Sequence, residues 1–136
     1  MDDVSVGGAI ATATYFLQLF PYALNTGDLT EWSRLSHAEC IFCAGLSDEV
    51  KRQAGLREHQ EGLETSIASA TGVEVTLGSW FDVDLRLMQG PWVVVDTAGN
   101  VVEQSTATKV VQVHMNVVRD SGHWLVRGAQ TNLVEE

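Results

Sequence analysis

The spacing of apolar residues changes near position 60, and this change constrains the fold more than any other feature of the chain. Before it, apolar residues from Ile10 to Leu24 recur at steps of three and four, which is typical of one helix face packed against a core. After it, Phe81, Val83 and Leu85 alternate with polar residues, which is typical of strands with one buried face. The sequence therefore predicts helices first and an antiparallel sheet afterwards.

Three helices are predicted in the first part of the chain. The first extends to a stop at Gly27, and Pro21 should kink it or end its regular part because proline removes a helical hydrogen bond. A start resembling a capping box predicts a second helix over residues 28–35. A third helix is predicted from residue 36 to a stop at Gly55.

About six strands are predicted in the second part, after a polar connection at residues 57–62. Short turns rich in Gly, Asn, Asp and Ser are expected to separate several of them. These turns fall at residues 71–72, 97–100 and 119–122. Gly78 and Gly90 suit the β-bulges that a strongly bent sheet requires.

These elements predict an α+β fold in which three N-terminal helices pack on a strongly curved antiparallel sheet. The chain of 136 residues has the size of one domain, so we interpret residues 1–136 as a single unit. A sheet bent over the first helix makes a cone with an apolar interior. The residues predicted to line this pocket are Tyr15, Phe16, Phe20, Trp32, Phe81, Val83, Leu85, Val113 and Met115.

The charge balance excludes several classes of partner. Lys and Arg total 8 against 18 Asp and Glu, a net charge of −10, and such a surface repels nucleic acid and anionic membranes. Residues 4–27 carry no charge, but their polar residues and the preceding Asp2 and Asp3 argue against a signal peptide or a membrane span. We predict no nucleic-acid partner and no spanning segment in this chain.

Polar residues alternate with the apolar ones along the central strands and define an outer sheet face. Asp82, Asp84 and His114 belong to it. One interpretation is a solvated face with cross-strand ion pairs. The other is a homodimer interface, which we expect here and which Trp80 and Trp124 favour, because both are predicted to share this face.

Cys40 and Cys43 form a Cys-x-x-Cys pair, the sharpest motif in the chain. A structural disulfide is favoured because two cysteines with none left over fit an oxidising compartment. The alternatives are a redox-active pair, a metal site completed by His37 and His59, and two reduced, buried cysteines. We predict the disulfide, no metal and no cofactor, and an extracytoplasmic location with the cytoplasm as the alternative.

The first half also contains the segments Gly8-Ala9, Tyr22–Asp28 and Leu35-Ser36, followed by the cysteine pair. Together these segments resemble a domain family of Gram-positive bacterial lipoproteins. That family is similar to the superfamily of nuclear transport factor two, the SnoaL-like polyketide cyclases and ketosteroid isomerase. The resemblance implies this cone-shaped, cystatin-like fold in a secreted domain that is tethered to the membrane as a lipoprotein in its full-length form, and it implies no established activity.

Two hypotheses for the function follow. The first is a non-catalytic extracytoplasmic domain that binds a small apolar ligand or a protein partner. The second is a small cofactor-independent isomerase, cyclase or dehydratase, in which a carboxylate beside Tyr15 or Tyr22 would act in the apolar pocket. No Asp or Glu shares the inner face of the central strands, so we predict no catalytic residue and favour the first hypothesis.

Overall fold

The computed structural model describes residues 4–134 as three helices followed by seven strands. The helices are α1 (Val6–Thr26), α2 (Thr30–Leu35) and α3 (Ile41–Gly55). The strands are β1 (His59–Gly62), β2 (Thr65–Thr76), β3 (Trp80–Gln89), β4 (Trp92–Val95), β5 (Val101–Ser105), β6 (Lys109–Asp120) and β7 (His123–Leu133). This order confirms the predicted α+β class and the change of period near position 60.

The strands form two antiparallel sheets, where one sheet of about six strands was predicted. The larger sheet has the order β2-β3-β6-β7, and in the smaller sheet β4 lies between β1 and β5. The extra strand is β1, which falls in the predicted polar connection and pairs with β4. Its sequence is His-Gln-Glu-Gly, which lacks the apolar alternation by which a strand is recognised.

Helix α1 spans 21 residues and carries one buried face. The Ser5 hydroxyl accepts a hydrogen bond from the Gly8 backbone N–H at its start, and Gly27 ends it with a φ of 77°. Pro21 lies inside the helix, which continues to Thr26, because burial of its inner face offsets the one hydrogen bond that proline removes. Of the helices in residues 4–134, none combines the length and the hydropathy needed to cross a bilayer.

Strand β2 is a single strand of twelve residues, although two strands were predicted on either side of residues 71–72. Gly72 lies in the middle of it, where α1 packs closely on the sheet. A Cβ at this position would lie 3.2 Å from Val6 Cγ1 and 3.4 Å from Ile10 Cγ1. The glycine therefore permits the close approach of helix and strand and does not form a turn.

The predicted bulges at Gly78 and Gly90 are wrong. The register of β2 against β3 shifts between residues 67 and 69 and between 74 and 76, away from both glycines. Gly78 occupies the turn between β2 and β3 with a φ of 68°, and Gly90 connects β3 to β4. A turn and a bulge both favour glycine, so the residue type alone did not distinguish them.

The larger sheet has one buried and one exposed face, as the alternation predicted. Phe81 and Val83 of β3 are fully buried against the helices. Asp82 and Asp84 alternate with these residues along β3 and lie on the opposite, outer face. Asp84 Oδ1 lies 2.8 Å from His114 Nδ1 on β6. The polar groups of the outer face thus pair with one another across neighbouring strands.

Trp124 lies on the inner face, so the prediction that it shares the outer face with Trp80 is wrong. Its side chain is 5% exposed, and its ring centroid lies 5.2 Å from that of Phe81. In the register of β6 against β7 it lies opposite Arg119, whose guanidinium carbon is 5.2 Å from the indole ring. The Arg119 guanidinium thereby lies over the indole ring in a cation–π contact.

Candidate functional site

A cavity of about 600 Å³ lies between α1, α3 and one end of the two sheets. The end of β3, the start of β6 and the end of β7 contribute to it, and these segments are neighbours in the larger sheet. The smaller sheet closes another side with residues of β1, β4 and β5. The cavity therefore occupies one end of the cone, and the other end is filled by side chains.

Two helix faces form the apolar wall of the cavity. Leu17, Phe20 and Leu24 of α1 line it at steps of three and four, so that they share one side of that helix. Phe42 and Leu46 do the same on α3. Each helix therefore presents a stripe of apolar side chains to the cavity, as an amphipathic helix does toward a core.

The nine residues predicted to line the pocket divide into two groups. Phe20 and Val113 line the cavity. Six others are at most 1% exposed and form packed core: Phe16, Trp32, Phe81, Val83, Leu85 and Met115. Tyr15 is partly buried and packs against that core outside the cavity. The large rings in this group fill space that the sequence analysis assigned to the pocket.

The two tyrosines each bind a carboxylate away from the cavity. The Tyr15 hydroxyl donates a hydrogen bond to Glu31 Oε1 at 3.0 Å, and burial together with this bond raises the pKa of Tyr15. Hydrogen bonds from Arg34 and from Tyr15 lower the pKa of Glu31. The exposed Tyr22 donates to Asp28 at 2.9 Å in the same way. These phenol–carboxylate pairs therefore lie outside the space that a ligand could fill.

Two acidic residues, Glu49 and Glu103, line the cavity. Glu49 accepts three hydrogen bonds from the Arg52 guanidinium, the shortest at 2.6 Å, and this contact raises the pKa of Arg52. Glu103 is exposed on β5. Among the described residues that line the cavity there is no Lys, Arg or His.

Two glutamines that the sequence analysis did not select also line the cavity. Gln53 of α3 and Gln60 of β1 are each 5% exposed, and Gln53 Nε2 donates a hydrogen bond to Gln60 Oε1 at 2.7 Å. Gln53 follows Val50 by three residues on the buried stripe of α3, which is the signal that could have identified it. Gln60 lies in a polar stretch and carries no such signal.

Cys40 and Cys43 form a disulfide at the start of α3, which confirms the prediction. The bond excludes both sulfurs as thiolate ligands of a metal. The candidate ligand His37 accepts a hydrogen bond from the Glu39 backbone N–H, and His59 lies 3.4 Å from a Glu61 oxygen. Within residues 4–134, no group of three or more His, Cys, Asp and Glu side chains is arranged to hold a metal ion.

The disulfide also joins α3 to the core. Trp32 Nε1 donates a hydrogen bond to the Cys43 carbonyl at 2.9 Å, and Cys43 Sγ lies 3.8 Å from the Val126 carbonyl oxygen of β7. The His37 backbone N–H donates to the same carbonyl. The first turn of α3 is therefore fixed against α2 and β7, and the helix extends from this point along the cavity.

Comparison with known proteins gives a family match and a set of structural similarities. The model of a family described as "Family of unknown function (DUF6318)" matches residues 1–130. No curated protein matches the chain. Among solved structures, the intermembrane space region of the chloroplast protein ARC6 is similar with a TM-score of 0.70 at 13% identity, covering 96% of this chain and 98% of that chain.

Two bacterial structures are similar at the level of the fold. A protein with a cystatin-like fold from Caulobacter vibrioides has a TM-score of 0.57 at 11% identity, covering 95% of this chain and 92% of that chain. The beta subunit of the benzoate 1,2-dioxygenase from Burkholderia mallei has a TM-score of 0.60 at 13% identity, covering 92% and 90%. At such identities the likeness shows the fold alone.

Proposed function

We propose that this chain, which belongs to the DUF6318 family of unknown function, binds a small apolar ligand in the cavity between α1 and α3. The observation that carries the proposal is a space of about 600 Å³ to which both helices contribute a stripe of large apolar side chains, with polar side chains around it. Small-molecule sites commonly have volumes of roughly 300–1,000 Å³ with mainly hydrophobic walls and a few polar groups. The cavity has this size and this composition.

The charges around the cavity favour a neutral or cationic ligand over an anion. Glu49 and Glu103 line it, no described lining residue is a cation, and the chain as a whole carries a net charge of −10. An anionic ligand would lose its hydration without gaining a compensating charge, which is unfavourable. We therefore expect apolar contact to supply most of the affinity.

A neutral fluorescent probe with a matched pair of variants tests this proposal. Gly45 lines the cavity, and a Cβ at Gly45 or at Gly55, which does not line it, would meet nothing within 4 Å. Gly45→Leu should fill part of the cavity and weaken Nile red binding at least tenfold, whereas Gly55→Leu on the same helix should bind as the wild type does. Failure of the wild type to bind, or equal binding by both variants, contradicts the proposal.

The proposed location is extracytoplasmic, with attachment to the membrane as a lipoprotein in the full-length form. The disulfide between Cys40 and Cys43 supports it, because such bonds persist mainly in oxidising compartments. Treating intact producing cells with a membrane-impermeant protease should degrade the domain if it lies outside. Protection from the protease until the cells are lysed would place it in the cytoplasm, the alternative.

We also propose that the outer sheet face forms a homodimer. Gln112 lies near the centre of this face, opposite Arg86 in the register of β3 against β6. Gln112→Arg would place like charges together across a two-fold interface and should turn a dimer into a monomer of 14.8 kDa in sedimentation experiments. Ala98→Arg, in the turn between β4 and β5, is the control. A monomeric wild type contradicts the dimer.

The alternative function is a cofactor-independent isomerase, cyclase or dehydratase-like enzyme. It would need a carboxylate in the cavity, and Glu103 is the lining carboxylate that Arg52 does not bind. We favour binding because Glu103 is exposed and both tyrosines lie outside the cavity. Mass spectrometry together with NMR spectroscopy of ligands recovered from the protein distinguishes the two, since an isomer has the mass of its substrate: an unchanged ligand supports binding, and one converted by the wild type but not by Glu103→Gln supports the enzyme.

A further inference from the structure

The buried pair of Gln53 and Gln60 is the polar feature of the cavity that calls for an explanation. Both residues are 5% exposed, and both line a space to which α1 and α3 also contribute large apolar side chains. A buried amide costs free energy unless its hydrogen-bonding groups have partners. Leucine at both positions would avoid this cost, so the pair is less favourable for stability than two apolar side chains would be.

Counting the hydrogen bonds of the pair shows what it leaves unused. The bond from Gln53 Nε2 to Gln60 Oε1 occupies one donor and one acceptor. Within the described part of the chain, Gln53 Oε1 and Gln60 Nε2 make no hydrogen bond, so one amide oxygen and one NH2 group remain available on two amides that are bonded to each other. Exchanging O and N in both side chains reverses the roles but leaves the same acceptor and donor.

An acceptor beside a donor matches one class of neutral group. A primary carboxamide or a small-ring lactam carries a carbonyl oxygen and an N–H on the same side of its C–N bond, so it can accept from Gln60 and donate to Gln53 together. A carboxylate could accept only, and it would face Glu49 and Glu103 with no cation on the wall. A hydrocarbon would leave the free carbonyl of Gln53 and the free NH2 of Gln60 without a hydrogen-bond partner.

We infer that the ligand of this cavity is an amphipathic molecule whose apolar body carries an uncharged amide, held by the free carbonyl of Gln53 and the free NH2 of Gln60. This inference rests on the proposed binding function and adds the polar group that the ligand must carry. The apolar side chains supply affinity, and the glutamine pair supplies orientation and selectivity, because an amide engages both the free carbonyl of Gln53 and the free NH2 of Gln60.

A ligand series on the unmodified protein tests the inference without any risk to folding. Decanamide, N,N-dimethyldecanamide, 2-undecanone and decanoate share an apolar tail and differ in the head group. Competition with Nile red should show decanamide binding about five- to tenfold more tightly than the ketone and the dimethylamide, which lack the N–H. Decanoate should bind more weakly than decanamide because it is charged. Equal affinities for decanamide, the ketone and the dimethylamide overturn the inference.

Paired variants locate the preference in the two side chains. Gln53→Leu with Gln60→Leu removes both amides together and should leave Nile red binding in place while abolishing the preference for decanamide. The control Gln112→Leu, on the outer sheet face, should keep the preference for decanamide. A preference that survives in the double variant overturns the inference, and thermal unfolding of each variant verifies that it is folded.

The two proposals fail in different ways. If the wild type does not bind Nile red, or if Gly45→Leu does not weaken its binding, the cavity is not the binding site and both proposals fall. If Nile red binds and Gly45→Leu blocks it, but the amide shows no preference, only the role of the glutamine pair is wrong. A preference in the wild type that is lost in the double variant supports both.

Discussion

The rings of Phe16 and Trp32 stack with their centroids 3.8 Å apart, and both side chains are at most 1% exposed. The Phe20 ring packs edge-to-face against the Trp32 indole, with their centroids 5.9 Å apart, and Phe20 also lines the cavity. One turn of α1 therefore separates a filled part of the cone from an open part. Stability and ligand binding should accordingly depend on different residues of this helix.

We predict that Phe16→Ala lowers the free energy of unfolding by about 3–5 kcal/mol, because it removes a fully buried ring and leaves a cavity beside Trp32. Chemical denaturation measures this change. Phe16→Leu should cost less and leave Nile red binding unchanged, since Phe16 does not line the cavity. Binding lost in a folded Phe16→Leu variant would show that the two parts of the cone are not separate.

Loss of the disulfide should destabilise the domain modestly. Cys40 and Cys43 are three positions apart, and closing so short a loop contributes about 2 kcal/mol in the chain-entropy treatment. Replacing both by Ser should lower the free energy of unfolding in urea by about this amount. Reductant should lower that of the wild type similarly and leave the variant unaffected. An unchanged wild type in reductant would contradict this prediction.

Acid should weaken the contacts of Glu31. Hydrogen bonds from Arg34 and Tyr15 lower the pKa of this carboxyl below its ordinary value of 4.5, so its contribution to stability is present above pH 4.5 and is lost as the pH falls through the lowered pKa. We expect Glu31→Gln to reduce the loss of stability on acidification. Denaturant unfolding curves at a series of acidic pH values measure this loss in both proteins. The same loss in the wild type and in Glu31→Gln would show that Glu31 is not its source.

Tyr15 should titrate at higher pH than an ordinary tyrosine. Burial and the hydrogen bond to Glu31 raise its pKa above 10.0, so its contribution to stability is present below pH 10.0 and is lost as the pH rises through the raised pKa. In a Tyr22→Phe background Tyr15 is the sole tyrosine, and tyrosinate absorbance reports it alone. Adding Glu31→Gln should move the titration toward pH 10.0, and an unmoved titration would argue against the contact.

Gly62→Ala should be markedly destabilising. Gly62 has a φ of 94°, and a Cβ there would lie 2.3 Å from the Pro91 carbonyl oxygen, which accepts a hydrogen bond from the Leu63 N–H. We expect a loss of about 1–3 kcal/mol or more in the free energy of unfolding. Gly55→Ala, at the end of α3 with open space around it, is the control and should cost nothing. Equal stabilities would refute the close approach.

The sequence predicted the class of fold because burial imposes its period on the chain. The alternation around Phe81 and Val83 marks a strand with one buried face, and the structure has it. The sequence did not predict strand β1, because this strand forms through its pairing with β4 and its residues do not alternate between apolar and polar. The face of Trp124 was wrong because it is set by the β6–β7 hairpin, whose register places Trp124 opposite Arg119 on the same side as Val117.

The candidate site was harder to predict than the fold. An apolar residue on an inner face has the same sequence pattern whether it packs in a core, as Phe16 and Met115 do, or lines a cavity, as Val113 does. Which of these occurs depends on the volume of the side chains that meet in space, and that volume is not a local property of the sequence. Gln60 joins Gln53 only through the folding of β1 beside α3.

The walls of the cavity come from residues as far apart in the chain as Leu17 and Leu133. An occupant would touch the first helix and the last strand at once, so unfolding either would release it. Any molecule that fits must therefore raise the melting temperature of the whole domain, by mass action worth about 2.7 kcal/mol at a hundredfold excess over its dissociation constant. A thermal-shift screen can accordingly find natural occupants before any biological assay exists.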